Sequence, residues 1–169
     1  MKNQSQQSGF HPIHYEHLLQ VVEQDEYDSY KTKGKLPEPT VCPDCGAVIH
    51  QGRWQWLPAP ADAHQACCPA CHRIRDHIPA GYVSLSGDFF AAHEQEILQL
   101  IQHHATKEKA EHPLQRIMDI EKTADRTQVT TTDIHLARGI GVALHNAYQG
   151  ELEFHHNPEH NLLRVSWTR

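Results

Sequence analysis

Cys42-Pro43-Asp44-Cys45 and Cys68-Pro69-Ala70-Cys71 are two Cys-Pro-x-Cys pairs with 22 residues between them, in a chain whose only other cysteine is Cys67. Each pair turns two sulfurs toward one point. Two such turns complete a tetrahedron of soft donors, the set a d¹⁰ cation such as zinc prefers. Paired Cys-x-x-Cys turns about 15 to 20 residues apart are the sequence form of a zinc ribbon, and this loop is slightly longer. Gly46 follows the first pair, where a residue without Cβ can turn tightly under a sulfur. Four thiolates fill the coordination shell and leave no position for water or substrate. The expected role of a single Zn²⁺ held by Cys42, Cys45, Cys68 and Cys71 is therefore structural. Cys67 could replace Cys68 as a ligand only with a shifted turn geometry. A redox dithiol is disfavoured, since that motif normally occurs once and within a βαβ pattern absent here.

Other chemistry is not encoded in any recognisable pattern. The chain has no glycine-rich phosphate loop, no Gly-x-Ser-x-Gly elbow and no His-Glu-x-x-His pair. The adjacent pairs His103-His104 and His155-His156 diverge on a helix or strand and do not chelate. The expectation is a non-enzymatic binding protein. The formal net charge of -6 argues against a nucleic-acid binder, but its distribution does not: residues 1–30 carry -4, residues 31–86 carry +2 and residues 87–169 carry -4. The positive segment holds the four cysteines. Its cations Lys31, Lys33, Lys35, Arg53, Arg73 and Arg75 are candidate phosphate contacts, as is Arg138 further on. Arg73 and Arg75 alternate with Ile74 and would share a face in an extended segment, with solvated surface the equal alternative.

The elements that must position these residues read as an α+β chain in four parts. Residues 1–36 are a polar tail and a short helix over 14–30. Residues 37–87 form the treble-loop, four-cysteine zinc ribbon, with a hairpin of 47–50 and 53–57 turning at Gln51-Gly52. Alternation places Trp54 and Trp56 together, either covering the metal cluster or stacking on bases. Pro79, Gly81, Ser84, Ser86 and Gly87 read as a linker. Residues 88–112 read as a linking helix capped by Asp88 and stopped by His112-Pro113. Residues 113–169 read as a ββαββ layer, a small antiparallel sheet with one packed helix. Thr132 or Asp133 caps that helix, and Ala137, Gly141 and Ala147 let it approach the strands; Arg138, His135 and His145 lie off this stripe. The polar N-terminus and the lack of a long apolar run point to a cytoplasmic protein with no membrane segment.

The Cys-Pro-x-Cys-Gly at 42–46, the second Cys-Pro-x-Cys, Ile120-Glu121, Val129-Thr130-Thr131-Thr132 and Asp133-Ile134-His135-Leu136-Ala137-Arg138 together resemble a bacterial zinc-ribbon family of uncharacterised function. The resemblance covers residues 37–167 and includes Gly52-Arg53-Trp54-Gln55-Trp56 and Gly150-Glu151-Leu152. That family in turn resembles the N-terminal zinc-binding region of the large-ribosomal-subunit export adaptor of archaea and eukaryotes, which contacts the large subunit. The resemblance implies zinc ligation by the four cysteines. The functional expectation is docking on the ribosome or ribosomal RNA in assembly, silencing or hibernation. The alternative is a protein-protein adaptor that uses the ribbon without RNA.

Overall fold

The computed structural model of the chain describes residues 28–169. The helix expected over 14–30 lies outside them except for its last three residues, which begin a turn where the Tyr30 N–H donates to Asp28 Oδ1 at 3.0 Å. The described residues form a mixed α+β structure with two sheets and four α-helices.

The first sheet is built from very short strands. β1 (Thr40–Val41) pairs antiparallel with β2 (Val48–His50) and parallel with β4 (His64–Gln65), and β2 pairs antiparallel with β3 (Arg53–Gln55). The expected hairpin is present, with Gln51 and Gly52 both at positive φ, as a two-residue turn between right-twisted strands requires. α1 (Pro69–Asp76) then begins at the second cysteine pair. Pro69 at its first position has a fixed φ suited to a helix start, and its missing N–H is one the helix would leave unbonded. This helix corrects the expectation of an extended segment after Cys71. Two residues along a helix turn through about 200°, so Arg73 and Arg75 point apart: Arg73 is buried and Arg75 exposed.

The second sheet has the strand order β6-β7-β5-β9-β8. It comprises β5 (Gly81–Ser86), β6 (Ile117–Lys122), β7 (Thr127–Thr131), β8 (Glu151–Asn157) and β9 (Leu162–Thr168). All neighbours are antiparallel except β5 and β9, which run parallel. The stretch expected to be a linker is thus the central strand. Its inward positions Gly81, Val83 and Leu85 are buried while Tyr82, Ser84 and Ser86 are half-buried, a period-two pattern that the turn-forming residue types obscured. The ββαββ layer is corrected to a five-stranded mixed sheet that starts at residue 81.

α4 (Ile134–Tyr148) lies across β5, β9 and β8, and α3 (Glu94–Glu111) packs beside it. The single helix expected within 88–112 is divided at His93 into α2 (Asp88–Ala92) and α3. Asp88 does not cap it; Gly87 holds that position, and the Phe90 N–H reaches the Arg169 carbonyl at 3.0 Å. α3 is no linker either, because Ile97 and Ile101 are fully buried in the core with Leu136, Ile140, Leu144, Val165 and Trp167. The cap of α4 is Asp133, whose carboxylate accepts from Leu136 N–H at 3.0 Å. Ala137 and Gly141 sit where the helix backbone meets the sheet, as expected, whereas Ala147 is exposed and plays no part in that approach.

Gly81 marks the tightest crossing. A Cβ there would stand 2.3 Å from Thr131 Oγ1 and 2.4 Å from the Ala137 Cβ. Gly81→Val is expected to destabilise the sheet layer by about 1 to 3 kcal/mol, the range for overpacking a filled core. Denaturant titration would check this, and an unchanged midpoint would show that α4 can shift aside.

Candidate metal centre

The sulfurs of Cys42, Cys45, Cys68 and Cys71 lie within 4.8 Å of one another, brought together from the loop after β1 and the first turn of α1. Cys45 and Cys68 Sγ are 3.8 Å apart. A tetrahedron with metal–sulfur bonds of about 2.3 Å has edges of about 3.8 Å, so this spacing suits a bound ion. Cys42 and Cys68 are fully buried and Cys71 nearly so. The four-thiolate group is therefore a site that can hold a metal ion.

Local backbone geometry aims each sulfur. The first turn is closed by Gly46 N–H on the Cys42 carbonyl at 2.9 Å and by Cys42 N–H on the Ala47 carbonyl at 2.8 Å, with Gly46 at φ 80°. The Cys68 N–H donates to Cys42 Sγ at 3.3 Å, and Cys68 caps α1 by accepting the Cys71 N–H at 3.4 Å. Burial works against the Cys42 thiolate, but the N–H groups of Cys68, Cys45 and Asp44 outweigh it and bring the thiol down to about 7. Burial raises the Cys68 and Cys71 thiols instead. Metal uptake near neutral pH must then expel protons from at least these two.

Arg116 is the participant that sequence reasoning missed. It arrives from the loop before β6, and its guanidinium donates to Cys71 Sγ at 3.2 Å and Cys45 Sγ at 3.2 Å, with Cys68 Sγ at 3.6 Å. Burial disfavours its charge, but hydrogen bonds to Cys71 and Cys45 overcome this and hold its pKa above the ordinary arginine value. Four thiolates around a divalent ion leave two excess negative charges, which a forked cation suits better than a point charge. The only signal in the sequence was that need for a counter-cation, with nothing to single out Arg116. Its loop is fixed by Arg116 Nε donating to the Pro113 carbonyl at 2.7 Å and Arg116 N–H to Thr132 Oγ1 at 2.9 Å.

The two tryptophans separate. Trp54 packs against the cysteine cluster together with Leu114, as the covering role requires. Trp56 is 38% exposed; its Nε1 donates to the Lys109 carbonyl at 2.7 Å at the end of α3, and its ring lies 5.9 Å from the Arg116 guanidinium. The small sheet is thus fastened to the α+β layer through Arg116, Trp56 and Leu114. Cys67 belongs to a different grouping with Cys42 and Asp44. Its thiol donates to Asp44 Oδ2 at 3.5 Å and is pushed up to about 11, by burial first and by that carboxylate second. Such a thiol is a poor nucleophile.

The candidate phosphate contacts fall into two groups. Lys31, Lys33, Lys35 and Arg53 are exposed, and all but Lys33 line one groove together with Trp54 and Pro69. Arg73 is 3% exposed, pairs with Asp28 at 2.7 Å, donates to the Ile78 carbonyl and lies 4.4 Å from the centre of the Tyr30 ring, so it is a structural residue. Arg75 is paired with Asp44 at 2.6 Å. Arg138 is half-buried on α4, with its Nε buried and without a hydrogen-bond partner among the described residues. These seven cations therefore do not form one surface. Among the described residues no helix is long and apolar enough to cross a membrane. No family model matches the chain, and neither the curated proteins nor the solved structures searched include a match.

Proposed function

We propose that the four cysteines hold one structural Zn²⁺ in a treble-loop zinc-ribbon module, and that this non-catalytic cytoplasmic protein docks on structured RNA. An all-sulfur donor set suits zinc over harder cations. A shell filled by four thiolates and backed by Arg116 has no place for a reacting ligand. The observation that carries the RNA reading is the gathering of Lys31, Lys35 and Arg53 around one groove beside the cluster. Lys33 stands next to it in the chain. Structured RNA is recognised largely through shape and backbone, so a local cationic patch suffices on a chain whose net charge is negative. The resemblance to the export adaptor directs the proposal to the large ribosomal subunit.

The test is sedimentation of a cell lysate through sucrose at low and high salt. Co-migration with ribosomal particles that is lost as salt rises is the expected result, because phosphate contacts release counterions. Migration with free protein at both salts would overturn the RNA reading. The second reading is a protein adaptor, favoured by the apolar side chains of Trp56, Leu57, Ile74 and Ile78 exposed around the module. Association with a protein partner that is indifferent to salt would support it.

A further inference from the structure

The groove that carries the cations lies between the metal module and the α+β layer. It encloses about 570 Å³, within the range of pockets that take one small ligand, and junctions of this kind are preferred positions for such sites. Its floor is apolar, formed by Leu36, Ile49, Trp54 and Leu114, while Lys31, Lys35 and Arg53 stand on its rim. Ile49 and Trp54 are cross-strand partners on β2 and β3 and so share a face.

Two acids also line the groove, and both are committed to backbone donors. The Glu38 carboxylate accepts from the N–H groups of Gln51 and Gly52 at 2.9 and 2.8 Å, and Asp133 caps α4. A hydrogen-bonded carboxylate keeps its charge, so the groove lining of three cations and two acids carries a small positive excess, with both acids held back on backbone donors. Leu114 lies two residues before Arg116, whose contacts with the sulfurs anchor this part of the floor to the cysteine cluster.

An apolar floor inside a cationic rim complements an unstacked base with its phosphates. It does not complement a duplex, whose bases are stacked inside and whose phosphates lie on the outside. We infer that the groove takes one unpaired nucleotide of the docked RNA, its base against the apolar floor and its flanking phosphates on Lys31, Lys35 and Arg53. Sequence- and structure-selective RNA recognition commonly works this way, by accepting bases splayed from loops and bulges onto apolar or aromatic surfaces. This inference rests on the RNA reading above.

The experiment is fluorescence anisotropy of the full chain loaded with zinc, using a labelled stem with an unpaired loop and the same stem as a blunt duplex. Parent protein is compared with a Lys35→Ala/Arg53→Ala variant and with Arg126→Ala, an exposed cation remote from the groove; zinc content confirms that each retains the module. The looped RNA is expected to bind at least about tenfold more tightly than the duplex. The double variant should remove that preference and reduce the salt slope by about 1.4, the share of two phosphates on a single strand. Arg126→Ala should leave both unchanged. Equal binding of loop and duplex, or binding indifferent to the double variant, would overturn the nucleotide site and leave RNA docking standing. No binding to either RNA, with capture of an apolar peptide instead, would overturn both.

Discussion

Cys45→Ser is expected to lose the metal and unfold the module of residues 40–76 while the five-stranded sheet stays folded. The reason lies in the unequal cores of the two parts. The module has strands of two or three residues, and its buried cluster is Cys42, Cys68, Ala70 and Cys71, with only Ala47, Val48 and Ile49 as further buried apolar residues, so the ligands form the centre of a very small core. A structure of that size is held by metal binding, worth about 10 to 16 kcal/mol in small zinc domains at neutral pH. Serine keeps the shape but replaces a thiolate by a hydroxyl that stays protonated, and three sulfurs no longer close the shell. The sheet layer has its own core, from Val83 and Leu85 on the central strand to Trp167, whose Nε1 donates to the Gln149 carbonyl at 2.7 Å. Hydrogen exchange read by mass spectrometry separates the two: amides of β1, β2 and α1 should exchange at once while those of β5 and β9 remain protected. A zinc-free Cys45→Ser protein with a protected module would refute the structural role of the metal.

The metal centre was the most legible part of the chain because its chemistry is local. A Cys-x-x-Cys turn places its two sulfurs by itself, and the following Gly46 has the positive φ that the turn needs. The helix 134–148 was equally open to reading, since the Asp133 cap and the apolar stripe are local and Gly150, at positive φ, follows just beyond its end. β5 was hidden for the opposite reason. Gly81, Ser84 and Ser86 are turn formers by type, and their strand conformation is imposed from outside, by β7 on one side and β9 on the other. The same is true of Arg73: its sequence context is a cluster of cations, and only the helix and Asp28 turn it inward. Long-range partners decided these cases, and single-sequence patterns carry no record of them.

Arg116 is where the long-range and the local meet, and its removal is the second large effect expected. Arg116→Met keeps an unbranched side chain beside Trp56 but deletes the charge and the hydrogen bonds to the sulfurs of Cys45, Cys68 and Cys71. Groups that support metal ligands in this way typically contribute ten- to a hundredfold in affinity. Zinc binding should therefore weaken by about 1.4 to 2.8 kcal/mol, at 1.4 kcal/mol per tenfold. Arg116→Lys should recover only part of this. An ammonium supplies charge, but as a point donor it cannot bridge Cys45 and Cys71 in the planar fork that the guanidinium offers. Competition with a chromophoric chelator gives the affinities, and the order parent, Lys, Met is the expected result. The Met variant should also show faster amide exchange in residues 40–76 with little change in β5 and β9, since the link between module and sheet is weakened while the sheet core is untouched. A Met variant that holds zinc as tightly as the parent would mean that solvent and backbone N–H groups alone balance the two excess charges, and Arg116 would then be a spacer between the two layers.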